Sequence, residues 1–177
     1  RISPFRLSSL KSITSILIVL LSFALVGCAY EKDVGSDERG KLRQYVEQAL
    51  DIEQELTTEV GKKMEAEPIV WDEAAANAAT MQETIDAYTR YFSTALPHMA
   101  EAVNEFEQLN PPETAELFHQ STLSALRVYE ETMESGISTF KRGDYQGMLG
   151  VFEKMDNADE SMESARSELD RLLKITD

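Results

Sequence analysis

Two histidines offer the first candidate chemistry. His98 and His119 are the only imidazoles in 177 residues. They flank the Asn110-Pro111-Pro112 breaker, with His98 twelve residues before Asn110 and His119 nine after it. If the flanking helices fold back antiparallel, a rise of about 1.5 Å per residue puts the two rings at similar height. Glu116 precedes His119 by three, a spacing that lays both side chains on one helix face. His98, His119 and Glu116 could together ligate one copper, zinc or haem-type centre. A di-iron site would need a second Glu-x-x-His pair and two further glutamates, and the residue three before His98 is Ala95. The competing reading makes His119 a hydrogen-bonded residue inside a helix bundle and His98 the edge of an apolar stripe.

Met148, Met155 and Met162 recur every seven residues. Thioethers suit Cu(I), and His/Met pairs ligate haem. A bundle core makes the same spacing by itself, and methionine fills irregular gaps, so a core position is expected. Asp159 and Arg166 fall on an otherwise apolar stripe. Counting back across Gly143 sets Asp159 level with Arg127 and Arg166 level with Gln120. Such a polar seam fixes register at some cost in stability, and the alternative is a polar pocket near His119. Asp51/Glu55, Glu101/Glu105 and Glu130/Glu134 lie one turn apart and read as solvated faces. The chain has no glycine-rich phosphate loop, no G-x-S-x-G and no H-E-x-x-H. No enzyme activity is expected. One cysteine excludes a disulfide framework and Cys-rich metal sites. A net charge of −15 argues against nucleic acid, because phosphates need clustered cations.

Four helices would have to position these residues. The first runs over about 37–66, on the stripe Leu42, Tyr45, Ala49, Ile52, Leu56 and Val60. The second spans about 72–109, with Asp72 as N-cap and Trp71 beside it. Its stripe continues without a register shift across Pro97, which predicts one kinked helix rather than two. The third covers about 111–142, with Asn110 capping, the prolines in the first turn and Glu113 closing a capping box. Lys141-Arg142-Gly143 ends it with cations and a left-handed glycine. The fourth runs over about 144–174 on Tyr145, Met148, Phe152, Met155, Asp159, Met162, Arg166 or Ala165, Leu169 and Leu173. Short links make neighbours antiparallel. The fold expected is all-α, a long up-down-up-down four-helix bundle occupying residues 37–177.

What precedes the bundle is different in kind. Residues 1–27 carry Arg1, Arg6 and Lys11 and no acid, so the charge beyond Gly27 is −18. Ile13 to Val26 is almost wholly apolar and falls short of the roughly 20 residues that span a bilayer. A basic start, a short apolar run and a small residue before a cut describe a secretory signal. The run ends Leu25-Val26-Gly27-Cys28, and Cys28 is the sole cysteine. This resembles the lipobox of bacterial lipoproteins. The resemblance implies cleavage between Gly27 and Cys28 and a diacylglycerol on the Cys28 thiol, with residues 28–36 as a tether. No other cofactor is expected. The residue after the cysteine is Ala29, not the aspartate that retains such proteins in an inner membrane. The resemblance therefore implies an outer membrane where the host has one, and otherwise the outer face of the cell membrane. The chain opens on Arg1 rather than Met, and a few preceding residues are expected. Leu109-Asn-Pro-Pro-Glu with Leu117-Phe-His119 also resembles, over about 20 residues, a pattern in uncharacterised secreted helical proteins of bacteria.

Two functions follow as expectations. The first is a non-enzymatic binding or scaffolding role at the bacterial cell envelope, toward basic or cationic partners and with a lipid anchor in the membrane. The second is a small-ligand or metal carrier using the bundle core near His119.

Overall fold

A computed structural model describes residues 35–66 and 78–176. The expected signal and lipobox segment, the expected Asp72 cap and Trp71 lie outside the described residues. Four long helices follow in order: α1 (Ser36–Ala66), α2 (Ala78–Gln108), α3 (Glu116–Lys141) and α4 (Tyr145–Thr176), with a 3-10 turn at Glu113–Ala115 leading into α3. Neighbours in sequence pack against each other, and α1 against α4 closes the ring. The chain is an all-α four-helix bundle, and no strand occurs among the described residues.

α1, α2 and α3 bury most of the stripe that their periodicity dictates. The core runs the length of the bundle in three zones. Near the start of α1, Tyr45, Phe106 and Phe118 pack with His119. Toward the Gly143 turn, Tyr88, Tyr91, Phe92, Phe140 and Phe152 form an aromatic cluster. Between them lie smaller residues, among them Met133, Met155, Ala158 and Ala165. Met148 and Met155 are buried core residues, as their spacing indicated.

α2 is continuous through Pro97. Proline removes the N–H that would reach the carbonyl four residues back, here that of Ser93. Both residues lie on the exposed side of the helix, where water can satisfy that carbonyl. The Gly143 turn also forms as expected. Gly143 sits at φ 63. Its N–H reaches the Phe140 carbonyl at 3.0 Å, and the Asp144 N–H reaches that of Thr139 at 3.2 Å. This is the paired closure of a Schellman motif. Asp144 then caps α4, its Oδ1 accepting the Gly147 N–H at 3.0 Å.

The start of α3 differs from expectation. Asn110 does not cap it, and Glu113 completes no capping box. Pro112 is extended at φ −66 and ψ 156, no side chain caps the turn, and α-helix begins only at Glu116. A proline disfavours helical geometry in the residue before it, so two in a row hold 110–111 extended. The stripe of α4 also differs. Val151, Ala158, Ala165 and Leu172 are buried, whereas Phe152, Asp159, Arg166 and Leu173 are half-buried at its edge.

Candidate functional site

Three polar constellations result. The first surrounds His119. Tyr45 Oη and His119 Nδ1 lie 3.2 Å apart and share a buried hydrogen bond. The imidazole stacks on Phe106 at 5.2 Å with rings 19° apart. Burial lowers the His119 pKa, against a smaller upward pull from Glu116. Burial also raises that of Tyr45, so both groups are neutral at pH 7. Tyr45→Phe should therefore lower stability by about 1 kcal/mol, read as a fall in melting temperature, because it strips a buried ring nitrogen of its partner.

The expected metal trio does not assemble. His98 lies in a separate groove between α2 and α1, lined by Ile52, Leu56 and Ala102. The Glu116 side chain is at the surface, where its Oε1 accepts from Gln120 Nε2 at 2.7 Å. Among the described residues no group of three or more His, Cys, Asp or Glu side chains could hold a metal ion. Nor do the histidines share a level, since His119 stacks on Phe106, eight residues and about 12 Å beyond His98 along α2. Residue counting from Asn110 missed this offset because the α-helix of α3 begins only at Glu116.

The second constellation is the groove that holds His98. It measures about 220 Å³ and runs between α1 and α2. Ile52, Leu56 and Ala102 form its apolar floor, and Glu55 and Glu59 face Glu101 and Glu105 across it. Glu59 also accepts from Lys62 Nζ at 2.7 Å, one turn along the same helix. The two-sided placement of the carboxylates escaped the sequence reading. Glu55, Glu101 and Glu105 belonged to pairs that looked like separate solvated faces. Packing α1 on α2 turns them into opposite walls. Carboxylates on facing walls above an apolar floor focus negative potential.

The third is the polar seam. Tyr129 Oη on α3 donates to Asp159 Oδ1 on α4. Asp159 therefore does not pair with Arg127, as level counting had suggested. Arg127 instead reaches Glu107 on α2, with Nη2 to Oε1 at 2.6 Å. Nor does any bond join Arg166 to Gln120, which is tied to Glu116. Arg166 lies within electrostatic reach of Glu53, Tyr129, Glu163 and Asp159, and its Nε is buried without a hydrogen-bond acceptor. Burial raises the Asp159 carboxyl to about 6, outweighing the Tyr129 hydrogen bond and Arg166, which favour the charged form. Burial likewise raises Glu53, against the pull of Arg166.

Two ties fix the end of the bundle where α1 begins. Arg43 Nη2 donates to the Thr176 carbonyl at 2.5 Å, and Arg171 Nη2 to that of Thr114 at 2.8 Å. No known protein family, curated protein or solved structure matches this chain.

Proposed function

We propose that this chain is a lipid-anchored, extracytoplasmic helical-bundle protein with a non-enzymatic binding role at the bacterial cell envelope, and that it takes a basic partner in the groove between α1 and α2. The observation that carries the binding role is the groove itself. Four glutamates on two helices overlook an apolar floor in a domain of net charge −18. A lysine- or arginine-bearing segment with an apolar residue between its cations would meet charge on both sides and burial beneath. The anchor rests on the sequence from Ile13 to Cys28.

The topology suits this role. α1 is the helix that follows the Cys28 tether. Ile52, where the groove begins, lies sixteen residues into α1, about 25 Å along its axis. On a chain anchored through Cys28, the groove would be held clear of the membrane surface. His119 supports the binding reading over the carrier reading, because its ring is packed between Phe106 and Tyr45.

Photocrosslinking tests the groove. A photoreactive residue in place of His98 should give a discrete adduct with a basic envelope protein in intact cells. Glu101→Lys with Glu105→Lys should abolish it. No adduct, or one that survives this charge reversal, contradicts the proposal.

A further inference from the structure

The shape of the groove between α1 and α2 narrows what can enter it, on the reading that this groove is the binding face. Tyr45 on α1 and Phe106 on α2 both meet His119, so the start of α1 lies beside the end of α2 and the two helices run antiparallel. That order puts Glu55 and Glu105 toward one end of the groove and Glu59 and Glu101 toward the other, with Leu56 and Ala102 between them. Within each wall the carboxylates are four residues apart, about 6 Å along the helix axis. Lys62 holds Glu59 at one end. Among the described residues no hydrogen bond or ion pair engages Glu55, Glu101 or Glu105, and no three acidic or histidine side chains gather closely enough to hold a metal ion. The space is also narrow. Its volume of about 220 Å³ is a fraction of what two turns of a helix fill, since a helix with its side chains is about 10 Å across.

We propose that the groove takes linear aliphatic polyamines, and that these compete there with the basic partner. A ligand that suits the groove is thin, spreads its positive charge along its length and is apolar between its charges. Two ammonium groups joined by four methylenes meet all three conditions. Five bonds of about 1.5 Å in a zigzag set the two nitrogens about 6 Å apart, which is the axial repeat of each wall. The methylenes then lie on Ile52, Leu56 and Ala102, and each ammonium lies between carboxylates of the two helices. Lys62 competes for the Glu59 end, so the end with Glu55 and Glu105 is the stronger half. A divalent metal ion has the charge without the length, and a monoamine has the chain with one charge. A lysine side chain is also an ammonium on an aliphatic stem, so a free polyamine would displace a lysine-bearing partner from the same carboxylates.

The test is a titration of the full chain at fixed ionic strength, followed by NMR at the His98 ring and the Ile52 and Leu56 methyl groups. 1,4-Diaminobutane should shift these signals saturably, and at lower concentration than n-butylamine or Mg2+. Glu101→Gln with Glu105→Gln should weaken its binding about tenfold. Glu131→Gln with Glu134→Gln makes the same charge change on the exposed face of α3 and should leave binding unchanged. No saturable shift overturns the inference. So does a diamine that binds no better than Mg2+, or one weakened equally by both double variants, since either is general attraction to an acidic domain. In cells, excess spermidine should suppress the adduct of the photoreactive residue at position 98. An adduct that persists undiminished overturns the competition and leaves the protein-partner reading standing. Saturable diamine binding with no adduct at all supports the polyamine site and contradicts the protein-partner reading.

Discussion

Phe92→Ala should remove about 3–5 kcal/mol of folding stability, a large share of the 5–15 kcal/mol available to an ordinary domain. Phe92 is 1% exposed. Its ring lies 5.4 Å from Phe140, 5.8 Å from Tyr91 and 6.1 Å from Tyr88. Truncation empties the middle of this cluster, and the surrounding rings cannot collapse without losing their own packing. The reason for such close fit is Gly136 on α3. A Cβ there would meet the Phe92 ring at 2.6 and 2.8 Å and Val151 Cγ1 at 3.2 Å. Gly136→Ala should therefore destabilise by about 1–2 kcal/mol, although alanine is the better helix former. Gly150 on α4 is the matched control, with nothing within 4 Å of its added Cβ. Gly150→Ala should stabilise by about 0.5–1 kcal/mol. Urea denaturation of the three variants checks all of this. Equal effects at Gly136 and Gly150 would contradict the packing described.

The helices were legible because their signals are local and redundant. Gly143 marks the α3–α4 turn by chemistry that needs no tertiary context, and it acts as read. The α3 start was misread because a proline pair is compatible with a first helical turn and with extended chain. Only the backbone geometry at Pro112 decides between them. The α4 stripe was read one position off for a related reason. Alanine is nearly silent in a hydrophobic pattern, so Ala158 lost to Asp159, and Ala165 entered only as the alternative to Arg166. In a closely packed bundle the small residue marks the centre.

The candidate sites were less legible, since each depends on how helices face one another. Level counting placed Asp159 beside Arg127, two residues from its real partner Tyr129. Helical side chains lean toward the N-terminus, so antiparallel neighbours meet off the level of their own Cα atoms. The same counting brought His98 and His119 to one height, whereas His119 meets α2 at Phe106, eight residues beyond His98. The acidic groove was hidden because its walls come from helices more than forty residues apart in sequence. Each wall alone is an ordinary solvated face.

Cys28→Ala should abolish membrane association. The argument is thermodynamic. Each buried CH2 of an acyl chain contributes about 0.8 kcal/mol, one chain alone holds a protein marginally and reversibly, and two or more hold it stably. The proposed diacylglycerol on Cys28 would supply two. The rest of the chain supplies no substitute among the described residues, where no helix is long and apolar enough to cross a membrane. A domain of net charge −18 would moreover be repelled by anionic lipid. The sole thiol also leaves no second site for the lipid. Fractionation of cells expressing wild type or Cys28→Ala, with a high-salt wash of the membranes, tests the anchor most directly. The account predicts wild type in the washed membranes and the variant in the soluble fraction. A variant that remains in the washed membranes as completely as wild type would contradict it.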